Sequence, residues 1–333
     1  MKRHSFFCID AHTCGNPVRV VAGGAPILAG LDMAQRRQRF VSEHDWVRRA
    51  LMFEPRGHDA MSGSILYPPS RSDCDLGILF IEVSGCLPMC GHGTIGTVTV
   101  AIEEGLVQPA TPGRMKLEVP AGVVSVDFTQ KDGYVDQVRL FNVASYLHAA
   151  DVKLDIPGLG ELVVDVAYGG NYYVIIEPQP NWSGLDGMRA SEITKLSPIV
   201  RAAAQEAVAP VHPDNSLIAG VSHVMWTDGP KNARAHARNA VFYGDGGIDR
   251  SPCGTGSSAR MAQRHAKGLM AVGDEFIHES LIGTMFDCRL ESAALVGTSP
   301  AIMPSVAGWA RITGHNTIFV DERDPLRHGF SLE

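Results

Sequence analysis

Short apolar runs separated by turn residues fill most of the chain, a pattern that predicts β-strands. Strand candidates in the first half are residues 5–10, 18–22, 77–83, 115–119 and 123–128, and those in the second half are 137–140, 162–167, 172–176, 217–226, 239–243, 275–278, 285–290 and 317–320. The pattern therefore indicates a protein built largely from short strands and tight turns.

Two segments carry ordinary helix signals. Residues 34–52 place large apolar side chains among arginines and acids at helical spacing, which predicts an amphipathic helix that ends before Pro55. Ser197 and Pro198 predict a second helix, with serine as the N-cap and proline at the first helical position.

Two further helices are predicted to begin at cysteines. One runs from the loop at Cys90 to about Glu104, and the other from the loop at Cys253 to about Lys267, each with a glycine at its end. The first is rich in threonine, valine and isoleucine, which are poor helix formers. We therefore expect it to be buried and held by tertiary packing.

The length of 333 residues fits two domains of ordinary size. A polar turn at residues 130–133 is the predicted boundary between them. A hydrophobic fraction of 45% with 20% charged residues is typical of a globular protein with a proper core.

The net charge of −7 and the pI near 6.0 give no reason to expect a nucleic acid or an anionic membrane as partner. The N-terminus does not resemble a signal peptide, and no apolar run approaches the roughly 20 residues of a membrane span. We therefore expect a cytoplasmic protein, in which the seven cysteines stay reduced.

Two cysteines lie in nearly the same glycine-rich setting. Cys90 lies in Pro-Met-Cys-Gly-His-Gly-Thr-Ile-Gly-Thr, and Cys253 lies in Pro-Cys-Gly-Thr-Gly-Ser-Ser-Ala-Arg. In each loop the cysteine precedes Gly-x-Gly, follows an apolar run and leads into a predicted helix. Each thiol is therefore expected at a helix N-terminus.

A helix N-terminus stabilises anions, because its backbone N–H groups are unpaired and it carries roughly half a positive charge. It lowers a thiol pKa, and with glycines that admit a ligand it binds a carboxylate. Two such loops facing each other would hold one small carboxylic acid between two thiols. One thiolate would remove a proton from a carbon, and the other thiol would add a proton to the opposite face.

The remaining cysteines have other interpretations. A buried free cysteine is usually a small hydrophobic residue, and Cys8, Cys74 and Cys288 are interpreted in this way, while Cys14 is assigned no chemistry. Cys86, Cys90 and His92 have the residue types of a zinc site, but structural zinc sites need a second pair of ligands, which the sequence lacks. No metal site is predicted.

Several motifs resemble those of the proline racemase family, over essentially the whole chain. The motifs are Met89-Cys-Gly-His-Gly-Thr-Ile-Gly96, Asp249-Arg-Ser-Pro-Cys-Gly-Thr-Gly256, Ile9-Asp-Ala-His-Thr13, Glu54-Pro-Arg-Gly-His58, Tyr168-Gly-Gly-Asn171 and Ser222-His-Val-Met225. Together with His-Thr-Cys-Gly-Asn-Pro near the start, they resemble the 4-hydroxyproline 2-epimerase branch in particular.

The resemblance implies an α+β fold of two pseudo-symmetric domains like those of diaminopimelate epimerase, each with a mixed β-sheet or barrel around a central helix. The active site would lie in the cleft between the domains and use no cofactor. Because the last strand of the family returns to the first domain, residues 1–132 with 313–333 would form one domain and residues 133–312 the other.

The resemblance also implies roles for individual residues. Cys90 and Cys253 carry over as the catalytic acid/base pair. The predicted carboxylate contacts are Gly91, His92, Gly254 and Thr255, and those at the substrate amine and ring are His223 and Asp249. Tyr243 and Trp226 are candidates for lining the substrate pocket.

The implied activity is cofactor-independent interconversion of trans-4-hydroxy-L-proline and cis-4-hydroxy-D-proline. The alternatives within the family are proline racemase and trans-3-hydroxy-L-proline dehydratase, although the dehydratase branch replaces the second cysteine, which is retained here as Cys253. Outside isomerases, an amino-acid-binding protein without turnover stays open. A cysteine hydrolase would need one activated thiol and a general base, not two matched cysteines. The expected partners are a small-molecule substrate and, by analogy, a second copy in a homodimer.

Overall fold

The computed structural model describes residues 3–28, 30–244 and 246–331. Residues 1–2 and 332–333, at the two ends of the predicted first domain, lie outside the described residues. The chain forms two compact units, Met1–Leu140 with Gly308–Glu333 and Phe141–Ala307. The division into epimerase-like domains at residues 132/133 and 312/313 stays a prediction.

Strands make up most of the regular secondary structure. In chain order they are β1 (Arg3–Thr13), β2 (Asn16–Gly23), β3 (Ser62–Tyr67), β4 (Leu76–Glu82), β5 (Gly85–Leu87), β6 (Arg114–Val119), β7 (Gly122–Lys131), β8 (Tyr134–Phe141), β9 (Tyr146–Ile156), β10 (Gly160–Tyr168), β11 (Tyr172–Ile176), β12 (Val211–His212), β13 (Asn215–Ala219), β14 (Val221–Asp228), β15 (Ala237–Tyr243), β16 (Gly247–Ile248), β17 (Glu275–Glu279), β18 (Met285–Val296), β19 (Ser299–Gly308) and β20 (Ala310–Asp321).

The helices are few by comparison. They are α1 (Met33–Arg39), α2 (Asp45–Met52), α3 (Gly91–Glu103), α4 (Ala190–Val208) and α5 (Gly254–Ala266). A single π-helical turn, Phe40–His44, joins α1 to α2, so the predicted helix over 34–52 is helical throughout but not α-helical throughout. A short 3₁₀ turn lies at Leu185–Gly187.

The first unit has a mixed sheet. β1 pairs antiparallel with β2 and with β20. β2 pairs parallel with β3, and β4 pairs parallel with β6, while β3 and β4 are antiparallel. Parallel strands need a crossover connection, and α1 with α2 supplies the first while α3 supplies the second.

The second unit repeats this order. β11 pairs parallel with β14, and β15 pairs parallel with β17, while β14 and β15 are antiparallel. The crossovers are α4 and α5. In both units the second crossover follows a short hairpin strand, β5 or β16, and begins at a cysteine.

The crossover helix α3 is the core of its unit. All its side chains from Gly91 to Ala101 are buried, as expected from its β-branched composition. Gly96 allows α3 to pack closely, since a Cβ there would lie 2.9 Å from both Thr13 Oγ1 and Val18 Cγ2. The prediction of a buried helix held by tertiary packing is confirmed.

The prediction that a helix starts at Ser197 is wrong. α4 begins at Ala190 after the N-cap Arg189, so Pro198 lies inside the helix. Ser197 is buried and accepts a hydrogen bond of 2.8 Å from Trp226 Nε1, so its hydroxyl serves tertiary packing instead of capping.

The predicted strand over 217–226 is two strands, β13 and β14, separated at Gly220, whose φ is +83°. Only glycine adopts that backbone conformation readily, so the chain turns there. Within the described ranges, no helix is long and apolar enough to cross a membrane.

Candidate active site

Cys90 lies where the β4–β5 hairpin meets α3. It is the N-cap residue of the helix, with φ −143° and ψ 113°, and its Sγ accepts a hydrogen bond of 3.3 Å from Gly93 N. Arg48 fixes the preceding turn, because its Nη1 donates to the carbonyls of Glu82 and Val83, both at 2.9 Å. The expectation of a thiol at a helix N-terminus is confirmed for Cys90.

Two titratable side chains flank the Cys90 thiol. Sγ lies 3.6 Å from Glu82 Oε1 and 3.6 Å from His92 Nδ1. Glu82 is 2% exposed, at the end of β4, and its other oxygen accepts a hydrogen bond of 3.0 Å from Ser84 Oγ. A carboxyl group in direct reach of the thiol was not predicted from the sequence.

His92 is held in place by its own unit. Its Nε2 lies 3.0 Å from Asn16 Nδ2 and 2.7 Å from Ser62 Oγ. Ser62 pairs with Glu82 across β3 and β4, so the pairing of these strands brings the histidine and the carboxylate to the same thiol. The predicted contact of His92 with a substrate carboxylate stays a prediction.

The donor atoms of Glu82, Cys90 and His92 lie within 4.8 Å of one another, which is the size of a metal site. Cys86, which the sequence analysis considered as a zinc ligand together with Cys90 and His92, is not in this group. His92 Nε2 is already bound to Asn16 and Ser62, and the thiol faces the carboxylate. We interpret the group as an acid–base cluster and assign it no metal.

Cys253 takes the equivalent place at the start of α5 with a different backbone. Its φ is +62° and its ψ is 106°, and its side chain makes no capping hydrogen bond to the helix. The approach to it is fixed by Asp249 Oδ1, which accepts from Ser251 N and Oγ, both at 2.8 Å. Ser251 Oγ in turn accepts from Cys253 N at 3.2 Å.

The Cys253 thiol lies beside a phenol. Tyr173 OH is 3.3 Å from Cys253 Sγ and 2.6 Å from Thr255 Oγ1. The Tyr173 ring stacks on His223, with centroids 4.6 Å apart, because the two residues are neighbours on the parallel strands β11 and β14. Tyr173 was not predicted as a site residue.

A buried polar network lies behind the Cys253 loop. Asn239 Nδ2 donates to Pro252 O at 2.7 Å and lies 3.0 Å from the ring of His278, and Ser257 Oγ lies 2.9 Å from His278 Nδ1. His278 is fully buried, and this burial lowers its pKa well below the usual value, with further lowering by Arg260 and Arg264. The imidazole is therefore neutral near pH 7.

Each cysteine is followed three residues later by a glycine that the thiol needs. A Cβ at Gly93 would lie 2.9 Å from Cys90 Sγ, and a Cβ at Gly256 would lie 3.0 Å from Cys253 Sγ. These distances are shorter than or at the limit of real contacts. The second glycine of each Cys-Gly-x-Gly motif thus makes room for the thiol.

At Cys90, a charged neighbour can outweigh the helix effect that the two thiols share. A helix N-terminus stabilises an anion by about 0.3–1 kcal/mol at an exposed site and by up to about 2 kcal/mol at a partly buried one. Two unit charges 4 Å apart interact by about 4 kcal/mol at an effective dielectric constant of 20. An ionised Glu82 would therefore influence the Cys90 thiol more than the helix does.

The other buried cysteines are poor candidates for acid–base chemistry. Burial raises the pKa of Cys8 to about 12 and that of Cys86 to about 12. Burial also raises the pKa of Cys74. Cys14 has a φ of +47°, and its thiol donates to Trp309 O at 3.6 Å.

The predicted residues fall into two groups, one in each unit. Cys90, Gly91 and His92 form the first. The second consists of Cys253, Gly254, Thr255, Asp249 and His223, joined through Tyr173 and the loop hydrogen bonds.

Of the two pocket candidates, Tyr243 lies near His223, with ring centroids 6.4 Å apart. Trp226 instead packs against Trp182 and donates to Ser197, because it points to the opposite side of β14 from His223.

Glu82 and Tyr173, which were not predicted as site residues, each have a sequence feature that points to a role. Glu82 is the one acidic residue in the apolar run over 77–83, and an acid in a buried strand needs a functional or structural partner. Tyr173 follows the Tyr-Gly-Gly-Asn motif in a strand where side chains alternate, but Tyr172 precedes it and the sequence does not say which of the two faces the cysteine.

Comparison with known proteins gives consistent results. The family model described as proline racemase matches residues 8–331. The "4-hydroxyproline 2-epimerase 2" of Rhizobium rhizogenes is 64% identical over 330 residues, 99% of each chain. A "4-hydroxyproline epimerase" of Brucella ovis is 60% identical over 332 residues, covering 100% of each chain.

Among solved structures, a hydroxyproline epimerase from Agrobacterium vitis, with bound trans-4-hydroxy-L-proline, matches with a TM-score of 0.90 at 28% identity. The match covers 99% of this chain and 96% of that one. A phenazine biosynthesis protein of the PhzF family from Bacillus anthracis matches with a TM-score of 0.60 at 16% identity, over 96% of this chain and 99% of that one, which shows a shared fold. The predicted α+β fold class is confirmed.

Proposed function

The chain belongs to the proline racemase family, and we propose that this isomerase is a 4-hydroxyproline 2-epimerase that interconverts trans-4-hydroxy-L-proline and cis-4-hydroxy-D-proline. The observation that carries the proposal is the matched pair of helix-start cysteines, Cys90 and Cys253, in a chain that is 64% identical over its length to a relative of that name. The substrate is a small molecule.

The proposed mechanism uses the two thiols as acid and base. One thiolate removes the α-proton from one face of the amino acid, and the other thiol delivers a proton to the opposite face. Positioned acid–base groups typically contribute about 100-fold to 10,000-fold to a rate. The chemistry needs no metal or cofactor.

The first turns of α3 and α5 would bind the substrate carboxylate. Gly91, His92, Gly254 and Thr255 lie at these helix starts, where backbone N–H groups are available to an anion. As the α-carbon loses its proton, negative charge spreads onto the carboxylate oxygens, and these N–H groups would stabilise it.

His223 and Asp249 would contact the amine and ring. His223 stacks on Tyr173, Asp249 lies in the loop that leads to Cys253, and each is about 4% exposed. These positions beside the Cys253 thiol support the proposed role. An ionised Asp249 would attract the positively charged ring nitrogen of the substrate and hold the α-carbon near the thiol.

A proline racemase is the second candidate, because the same thiol pair would act on unsubstituted proline. A trans-3-hydroxy-L-proline dehydratase is disfavoured by the cysteine at position 253. An amino-acid-binding protein without turnover does not fit a chain whose close relatives are named as epimerases.

The test is to incubate the purified protein with trans-4-hydroxy-L-proline in D₂O, and separately with L-proline. Chiral chromatography and mass spectrometry then follow configuration and α-deuteration. The proposal expects α-deuterated cis-4-hydroxy-D-proline and little reaction of proline. Rapid conversion of proline would favour the racemase, and no α-exchange in either substrate would reject both.

The homodimer and the cytoplasmic location remain predictions. Light scattering on the purified protein tests the first, and cell fractionation tests the second. Neither affects the proposed chemistry, whose reacting groups all belong to one chain.

A further inference from the structure

The two thiols differ in what surrounds them, although their exposed fractions are equal at 4%. Tyr173 OH is within hydrogen-bond distance of Cys253 Sγ. The phenol also meets Thr255 Oγ1 at 2.6 Å, and if the threonine hydroxyl donates to the phenol oxygen, the phenol proton is left for the sulfur. A hydrogen bond donated to the charged form of a group favours that form.

Three other titratable side chains of the same unit lie around the Cys253 loop. His223 stacks on the far side of Tyr173, and Asp249 has one oxygen held by Ser251. His278, behind the loop, is neutral near pH 7 because burial lowers its pKa. The Tyr173 phenol, in contrast, lies within hydrogen-bond distance of this sulfur.

Cys90 has the opposite kind of neighbour. Its S–H donates to Glu82 Oε1, and a carboxylate beside a thiolate would place two negative charges about 3.6 Å apart. Like charges raise the pKa of the group that ionises second. The thiol form is then favoured.

Two groups at Cys90 act in the other direction. Gly93 N donates to Sγ, and His92 would favour the thiolate if it were protonated. His92 Nε2 contacts the neutral side chains of Asn16 and Ser62, and the charged neighbour of the imidazole is Glu82, whose oxygen lies within 4.8 Å of it, so Glu82 acts on the histidine as well as on the thiol. A full carboxylate charge outweighs one backbone N–H group.

We infer that the resting enzyme is asymmetric, with Cys253 as the thiolate that takes the α-proton and Cys90 as the thiol that gives one, and that Tyr173 and Glu82 are the positioning residues that set this difference. The catalytic meaning of the inference rests on the proposed function. With Cys253 as the thiolate, the resting form of the enzyme acts on the substrate enantiomer whose α-hydrogen faces Cys253.

The protons balance over a turnover. The C–H bond to the α-carbon breaks and Cys253 gains that proton, while Cys90 loses its S–H proton to the opposite face of the carbon. The product leaves an enzyme with Cys90 as thiolate and Cys253 as thiol. Loss of a proton to water from Cys253 and gain of one by Cys90, beside Glu82, restore the resting form.

The test measures each thiol separately. The intact protein is treated with iodoacetamide across a pH series that brackets the ordinary thiol pKa of about 8.5. Peptide mass spectrometry gives the alkylation rate of Cys90 and of Cys253 at each pH. Only the thiolate reacts, so the midpoint of each rate profile reports ionisation regardless of how accessible the sulfur is.

The inference expects the midpoint of Cys253 to lie at least about one pH unit below that of Cys90, a tenfold difference in thiolate fraction at a given pH. Glu82→Gln should lower the Cys90 midpoint, and Tyr173→Phe should raise the Cys253 midpoint. Each change should leave the other thiol's profile in place. A purely structural role would not shift one midpoint alone.

Matched controls exist for both variants. Tyr172→Phe removes the neighbouring phenol, whose hydroxyl bonds Tyr146 at 2.6 Å instead of a site residue. Glu118→Gln removes another buried carboxylate of the Cys90 unit, one that accepts from Ser70 Oγ at 2.6 Å. Neither control should move either midpoint.

Coincident midpoints in the unsubstituted protein, or a lower midpoint for Cys90, would overturn the inference without any variant having to fold. Unshifted midpoints in folded Glu82→Gln and Tyr173→Phe would overturn the assigned causes. Alkylation needs no substrate, so this result is independent of the epimerase assay, and failure of the inference is distinguishable from failure of the proposed function.

Discussion

Cys90 and Cys253 both begin a 13-residue crossover helix, yet the two loops hold their thiols in different ways. Cys90 has extended backbone and a thiol bonded to Gly93 N, like an ordinary side-chain cap. Cys253 has a positive φ and a thiol that meets Tyr173 OH on a neighbouring strand. The sequence repeat thus preserves the place of the thiol in the topology but not its local contacts.

If the two thiols act as proposed, this difference is where their acid–base tuning would come from. The helix start is common to both loops, so it cannot make one thiol an acid and the other a base. Groups from elsewhere in each unit, Glu82 on β4 and Tyr173 on β11, can do so. Symmetric loops with asymmetric neighbours suit a reaction in which the two thiols have opposite tasks.

Removing each thiol in turn is the most direct test of whether both loops take part in turnover. Cys90→Ser and Cys253→Ser should each lower kcat by about 100-fold to 10,000-fold, since each loses one acid–base group while the carboxylate-binding helix starts remain. Chiral chromatography measures turnover, and calorimetry should show substrate binding largely kept.

Cys74→Ser and Cys288→Ser are the controls, one in each unit, and should retain turnover because neither thiol is part of the proposed site. Full activity in Cys253→Ser would reject the two-base mechanism. The two loops would then be equivalent in fold only.

The next test compares the glycines that make room for the thiols. At Gly93 an added Cβ meets Cys90 Sγ at 2.9 Å and the Phe80 ring at 3.2 Å, while at Gly256 it meets the flexible end of Met225 at 2.7 Å and Cys253 Sγ at the longer distance of 3.0 Å. A 1 Å misplacement of a reacting group costs about 100-fold. We expect that loss in kcat for Gly93→Ala and about a tenfold loss for Gly256→Ala.

Gly314→Ala and Gly187→Ala are matched controls, because a Cβ at either position meets no atom within 4 Å. Both should keep kcat within about twofold, since surface changes away from special features have small effects. A larger loss for Gly256→Ala than for Gly93→Ala would contradict the view that the Cys90 thiol depends more on its helix cap.

The elements best predicted from the sequence are those whose signals are local. Both cysteine helices were predicted with their starts and glycine ends because loop composition and spacing are read directly. β19 was missed since its two prolines argue against a strand, and α4 was started late since Pro198 is usually a helix-start signal. Tertiary packing overrides propensity in both cases.

The site was predicted only in part for a related reason. Cys90 and His92 are close in sequence, so their proximity is visible in the motif. Glu82 and Tyr173 reach the thiols through strand pairing and strand alternation, and neither the register nor the inward face can be fixed from one sequence. A sequence motif does not reveal the site residues that come from other strands and helices.

The network behind Cys253 predicts an acid sensitivity. His278 is neutral in the folded protein because burial lowers its pKa, whereas in the unfolded chain its pKa is about 6.5. Below that pH, His278 binds a proton in the unfolded chain but not in the folded protein, so the free energy of unfolding falls as the pH falls. The slope from this residue is up to about 1.4 kcal/mol per pH unit.

His278→Gln keeps an amide that can bond Asn239 and Ser257 but removes the titration. Urea unfolding over a pH series from about 7.5 to about 5, which spans the ordinary histidine pKa, should show a shallower loss of stability than in the unsubstituted protein. Equal slopes in the two proteins would show that His278 is not the cause.

The smallest expected effect isolates the backbone difference between the two cysteines. The backbone of Cys253 has φ +62°, which residues other than glycine rarely adopt. The backbone of Cys90 has φ −143°, which any residue adopts. We compare Cys253→Gly with Cys253→Ala, and Cys90→Gly with Cys90→Ala, by urea unfolding. Both residues are helix N-caps and every variant lacks a thiol, so the ordinary preference between glycine and alanine at a helix start cancels between the pairs. Glycine should be favoured over alanine by about 1 kcal/mol more at position 253 than at position 90. Equal differences would mean that the Cys253 loop carries no strain, and that its thiol is placed by contacts with Tyr173 alone.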